Sequence, residues 1–145
     1  YPYYDLRRQE IVQAKGIGSL WFHTTEAGNQ SLHGIGRLFF WAQMLMGDTA
    51  DNIRGLDKYY GKAIGYVGAY EELHWFNDTT NEGTVANMVL DAYRHSDQNP
   101  LPEGYLLHMM RGWGDSFHDV LDELKLSAEN KEFLEDCETR DWFEE

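Results

Sequence analysis

The residues best able to do chemistry lie in Met46-Gly47-Asp48-Thr49-Ala50-Asp51-Asn52-Ile53-Arg54-Gly55-Leu56. Asp48 and Asp51 are three apart, a spacing that sets two carboxylates on one face of a helical turn. Hard cations such as Mg²⁺ take oxygen ligands, typically one or two carboxylates with water and phosphate completing the shell. A D-x-x-D pair can thus hold part of a cation's shell. The same pair taken alone also reads as ordinary helix capping, because acids at a helix start meet free N–H groups and the positive end of the dipole. Basic residues follow at once: Arg54, Lys58 and Lys62, with Gly55 and Gly61 between them.

The flanks decide between these readings. Gly47-Asp48-x-x-Asp51-Asn52-Ile53-x-Gly55-Leu56, followed by Lys62-Ala63, resembles the signature of the flap endonuclease / 5′-3′ exonuclease family, which includes the 5′-nuclease domain of bacterial DNA polymerase I and stand-alone phage nucleases. The preceding Phe39–Met46 is similar to the helix that leads into that signature in phage members. The resemblance covers residues 36–65 closely and the later helices only in kind. It implies that Asp48 and Asp51 serve a cation, Mg²⁺ or Mn²⁺, of a two-metal phosphodiesterase. Two such ions about 4 Å apart activate water and stabilise the leaving oxygen. It also implies a helix-hairpin-helix gripping the backbone of duplex or flap DNA through Arg54, Gly55, Lys58, Gly61 and Lys62, contacts that position a strand without reading its sequence. The family's hairpin often reads Gly-x-x-Gly-Ile-Gly-x-Lys. Here Lys58 and Tyr60 replace the inner glycines, and Gly61 is expected to take the φ > 0 conformation one position later.

The family's other metal carboxylates come from an upstream α/β nuclease domain, and nothing before Gly36 is long enough to be one. With Tyr1 rather than Met at its start, the chain is read as a C-terminal portion, or one half of a split nuclease, inactive until a catalytic domain or subunit supplies the remaining ligands. The alternatives are a non-catalytic DNA-structure binding module and an acidic protein-interaction domain.

The elements that must position these residues are mostly helical. Ser19–Thr25 alternates, with Leu20 and Phe22 on one face and Trp21 and His23 on the other; Glu26–Asn29 is a turn and Gln30–His33 returns, a small β-hairpin. Arg37–Met46 is apolar almost all round, the pattern of a buried helix, and Gly47 ends it. Asp5–Ala14 reads as a short helix, and Ile53–Tyr70 as two short helices around a tight turn, the second over Lys62–Tyr70. Glu82–His95 carries an amphipathic stripe of Val85, Met88, Val89, Ala92 and Tyr93. Glu103–Arg111 follows Pro100 and Pro102. Asp115 is the expected cap of the next helix and Ser127 of the last. The fold class is mostly α, a helix-hairpin-helix with a small N-terminal β-hairpin. Residues 1–145 form one domain, 36–70 its metal and DNA-binding core, 81–145 a helical part with an acidic tail.

Bulk composition bounds these readings. The 145 residues are 42% hydrophobic and 14% aromatic, enough for one core. No apolar run nears the roughly 18 residues of a membrane span. Cys137 is the sole cysteine, which fits packing and a reducing cytoplasm, here that of a bacterial or phage-infected cell. The net charge of −13 argues against a nucleic-acid partner until its distribution is read. Residues 1–70 balance seven basic against six acidic residues, whereas residues 115–145 hold twelve acids and only Lys125, Lys131 and Arg140. The six histidines show no metal-binding spacing, and His108 reads as packing or surface. Of the tryptophans, Trp41, Trp75 and Trp113 are expected in the core, and Trp21 is the candidate for base stacking.

Overall fold

A computed structural model describes residues 18–48, 52–76, 82–111, 114 and 116–140. The helix expected over Asp5–Ala14 lies outside them, as do Asp51, Trp113 and Asp115. The described chain is mostly helical, with one two-stranded antiparallel sheet at its N-terminal end.

Strands β1 (Ser19–Thr24) and β2 (Gln30–Ile35) pair with Trp21 opposite His33 and Phe22 opposite Leu32. The return strand runs two residues further than its alternation suggests. Period-two geometry puts Leu20, Phe22 and Leu32 on one face. That face meets the helices: Leu32 is buried and the Phe22 ring lies 4.4 Å from that of Tyr70.

Helix α1 (Gly36–Met46) follows β2 directly and is the hub, packing on both strands and on α2 (Gly65–Leu73), α3 (Glu82–His95) and α4 (Leu101–Arg111). Its all-round apolar surface is accounted for, since Leu38, Phe40, Trp41, Ala42, Met44 and Leu45 are all buried. The indole Nε1 of Trp41 donates to Glu82 Oε2 at 2.7 Å, so the largest core side chain keeps its polar atom satisfied. On α3 the expected stripe faces inward, with Met88 half-buried, and Ala86 and Leu90 widen it. Helix α4 starts two residues earlier than expected, because Asn99 Oδ1 accepts from Leu101 N at 3.0 Å and Pro102 is tolerated in a first turn. Helix α5 (Phe117–Glu123) is capped by Ser116 rather than Asp115: Ser116 and Asp119 form a reciprocal capping box. Ser127 caps α6 (Ala128–Thr139) as expected, its hydroxyl accepting from Asn130 N. Buried Asn130 then ties α6 to α3 by donating to Asn87 Oδ1 and Asp91 Oδ1, both at 2.9 Å. Cys137 packs in the same interface, 3% exposed, and burial pushes its thiol up to about 11.

The segment between α1 and α2 differs most from expectation. No residue of 52–64 is helical, so the first of the two short helices is absent. Instead Asp48 and Ile53 form an isolated antiparallel bridge, and Tyr59 and Lys62 another around a tight turn. Gly61 takes φ +90° there, as expected, and Tyr60 joins it at φ +50°. Tertiary bonds replace helical ones. Leu56 N donates to Leu45 O at 3.1 Å, and the Tyr93 hydroxyl donates to Met44 O. Carbonyls that a helix end leaves open are thereby satisfied.

Two glycines make this segment possible. Gly47 has φ +78° and Gly55 φ +76°, and they lie back to back: a Cβ on Gly55 would stand 2.4 Å from Gly47 N, and one on Gly47 2.4 Å from Ile53 O. Gly55→Ala meets both a steric block and an unfavourable φ, and is expected to cost about 2–4 kcal/mol in urea unfolding. Gly61→Ala meets no atom within 4 Å. It carries only the φ cost of about 1–2 kcal/mol. Equal losses for the two variants would contradict the back-to-back contact.

Candidate functional site

The site is built from the end of α1. Gly47 N still bonds Gln43 O at 2.7 Å, and then Gly47 turns the chain so that Asp48 leaves extended. Asp48 and Ile53 exchange two backbone hydrogen bonds of 2.8 Å each. Asp48 is therefore on a bridge and not on a helical turn, which corrects the geometry its spacing suggested. Asp51 lies outside the described residues. The half-buried Asp48 carboxylate accepts from Gln43 Nε2 at 3.3 Å.

Asp48 borders an open cleft of about 670 Å³ between the hairpin, α1, α2 and α4. Gln30, Ser31, His33, Gln43 and Tyr66 supply its polar lining, and Phe39, Met46 and Met110 its apolar walls. His33 packs beside His23 with ring centres 4.8 Å apart. Partial burial, and then the neighbouring His23 ring, hold the His33 imidazole below its ordinary value.

A cation such as Mg²⁺ or Mn²⁺ fits the donors present in kind. Asp48 and Ser31 both line the cleft and carry hard oxygens. The Gln43 Oε1 is buried and, among the described residues, has no hydrogen-bond partner. Among the described residues no group of three or more His, Cys, Asp or Glu side chains converges, so Asp48 offers part of a shell.

The basic residues stand apart from the core. Arg54, Lys58 and Lys62 are all exposed, as is Gly61. Arg54 pairs with Asp57 at 2.9 Å, an exposed contact worth little. Gly55 is buried; its carbonyl accepts from Gln98 Nε2 at 2.8 Å, so its role is to let two main chains touch. Gln98 also accepts from Asp57 N at 2.8 Å, and Ser96 Oγ donates to Lys58 O at 2.5 Å. Residues just beyond α3 thus hold the basic segment in place. The Tyr59 hydroxyl donates to Glu72, and burial, then that bond, raises its pKa strongly; the Tyr60 ring lies 4.6 Å from that of His95.

Sequence reasoning missed Gln43, Ser96 and Gln98. Gln43 had a signal, being the one polar side chain within Leu38–Met46. Ser96 and Gln98 had none, because their partners lie about forty residues away. His108 is 4% exposed and meets Phe40 edge-on, a packing residue as read. Trp41 is buried as expected; Trp75 is not in the core but 70% exposed. Trp21 is half-buried. No helix among the described residues is long and apolar enough to cross a membrane.

Comparison with protein families, curated proteins and solved structures finds no match to this chain.

Two outcomes are expected here. Gln98→Ala removes two bonds to the 55–57 backbone and should speed hydrogen exchange at Asp57 at least about tenfold, at a stability cost of about 1–3 kcal/mol. An unchanged Asp57 rate would show that other contacts hold the loop. The second concerns pH. The folded protein binds a proton at His33 less readily than the unfolded chain, so this contribution is intact above pH 6.5 and is lost as pH falls below it. His33→Gln should flatten the fall in melting temperature between neutral pH and about pH 5.

Proposed function

We propose that this chain is the DNA-binding portion of a metal-dependent 5′-nuclease of the flap endonuclease / 5′-3′ exonuclease type, with its catalytic α/β portion outside this sequence. Asp48 and Asp51 contribute carboxylates to a Mg²⁺ or Mn²⁺ shell that the other portion completes. When bound, the ions activate water and stabilise the leaving oxygen of a phosphodiester. The tight turn at Tyr59–Lys62, set between α1 and α2, does the work of the family's helix-hairpin-helix. Lys58, Gly61 and Lys62 meet the backbone of duplex or flap DNA, and Arg54 joins them by leaving Asp57.

The observation that carries this reading is the closeness of two features along the chain. A half-buried carboxylate on an open cleft is followed, within fourteen residues, by three exposed cations on a loop whose residues 55–58 are held by Ser96 and Gln98. Phosphate contacts need such cations in the water-facing layer, whereas the cation ligand needs shelter. The acidity of the whole chain does not oppose this, because exposed charges separated by more than about 8–10 Å are largely screened at physiological salt.

Binding of labelled flap DNA, followed by anisotropy over a salt series, tests it. Affinity should fall steeply with salt, and the Lys58→Ala/Lys62→Ala double variant should reduce the slope of log K against log[salt] by about 2. With the catalytic portion added, Mg²⁺-dependent cleavage should be lost in Asp48→Asn while DNA binding persists. Binding with no cleavage under any pairing supports instead a non-catalytic DNA-structure module. Absence of DNA binding, with salt-sensitive capture of a basic protein, supports an acidic interaction domain.

A further inference from the structure

Trp75 stands 70% exposed just past the end of α2. Tryptophan is among the more buried residues on average, and contiguous exposed apolar surface marks interaction sites. Its ring is held in place: the indole Nε1 donates to Glu71 O at 3.0 Å, using a carbonyl that the helix end leaves open. Other rings continue from it. His74 lies against Trp75 with ring centres 4.2 Å apart, and Tyr70 stacks on His74 at 4.4 Å with the planes 5° apart. Phe22 of β1 then lies 4.4 Å from Tyr70 and 6.1 Å from Tyr66. Tyr66, Tyr70 and His74 follow at four-residue spacing and so share one side of α2. Phe22, Tyr66 and Trp75 are exposed, Tyr70 and His74 half-buried. Together they make an open aromatic stripe about 13 Å long at helical rise. It starts at Tyr66, on the wall of the cleft that Asp48 borders.

Cations flank its far end. The Tyr59 hydroxyl donates to Glu72, three residues before Trp75, and so ties the segment carrying Lys58 and Lys62 to that end of α2. Both lysines are exposed, and among the described residues neither forms an ion pair. Rings beside unpaired positive charge suit a single nucleic-acid strand, because bases stack on aromatic faces whatever their sequence while cations track the phosphates. Glu71, also exposed on α2, opposes phosphate, so a strand on the stripe is held through its bases. Were the rings there only to seat the hairpin on α2, Phe22 and Tyr70 would serve and Trp75 would add little. We infer that the stripe from Tyr66 to Trp75 is a stacking site for the unpaired bases of single-stranded DNA, whose phosphates Lys58 and Lys62 meet. This site lies beyond the duplex grip proposed above and rests on that reading only for the two lysines.

Binding of the full chain to a labelled oligothymidylate, and to an abasic strand of equal length and charge, separates stacking from phosphate attraction. The oligothymidylate should bind at least about tenfold more tightly, and it alone should shift the Trp75 indole N–H signal in ¹H–¹⁵N spectra. Trp75→Ala should weaken oligothymidylate binding about 5- to 100-fold and leave both the abasic strand and the melting temperature nearly unchanged. Trp75→Phe should keep most of the affinity. The Lys58→Ala/Lys62→Ala variant should weaken both strands alike. Equal binding of the two strands, or unchanged oligothymidylate affinity in Trp75→Ala, overturns the stacking site and leaves the duplex grip standing. Duplex binding indifferent to Lys58 and Lys62, with Trp75→Ala still weakening the oligothymidylate, overturns the grip and keeps the stripe. If Trp75→Ala abolishes self-association in sedimentation and leaves strand affinity unchanged, the stripe is a contact between copies of this chain and the inference fails.

Discussion

Where α1 ends, two main chains touch with no side chain between them. Gly47 and Gly55 share this contact, each at a positive φ that L side chains rarely adopt. Any larger residue would push the returning segment away from the helix. Leu56 could then no longer donate to Leu45, and the Asp48–Ile53 bridge would open. The position of Asp48 against its cleft, and of the basic segment beyond it, both follow from this approach. Packing density makes the constraint sharp, because an interior this close to crystalline density has no slack to absorb a methyl group.

What the glycines permit, residues beyond α3 enforce. The loop from Gly55 to Lys58 has no helix of its own to satisfy its backbone. Gln98 takes one carbonyl and one N–H, and Ser96 takes the Lys58 carbonyl. A loop held in this way keeps its shape while leaving its side chains in water. Exposure on a held backbone suits the phosphate contacts proposed for this loop, since cations ordered in advance lose less freedom on binding. The Arg54–Asp57 pair fits this account, because an exposed ion pair is cheap to exchange for a phosphate.

The polar layer at the mouth of the cleft works differently. Gln43 sits inside the core, where its Nε2 donates to Asp48 while its Oε1 finds no partner among the described residues, at a cost in hydrogen bonding. Elsewhere the same structure satisfies its buried polar groups with care. Trp41 reaches Glu82, Tyr93 reaches Met44, and Asn130 bonds Asn87 and Asp91.

Much of the architecture was legible in the order of residues, because it rests on local periodicity. Alternation marked the hairpin, the apolar run marked α1 as buried, the 3–4–7–8 spacing gave the inner face of α3, and Ser127 announced α6. Local rules also placed the glycine that ends α1 and the positive φ at Gly61. They failed where distant partners set the backbone. The first part of Ile53–Tyr70 looked helical, but Gln98 and Leu45 offer its backbone better partners than a short helix could. For the same reason Asp48 stands on a bridge, a placement its three-residue spacing from Asp51 cannot express. The sequence by itself determined which residues carry charge, which faces are apolar and where the chain must turn. Only the tertiary structure decided that Gly47 meets Gly55, that Gln43 reaches Asp48 and that Ser96 and Gln98 hold the basic loop. The physical reason is that packing and hydrogen bonds between segments far apart in sequence leave no mark on local spacing.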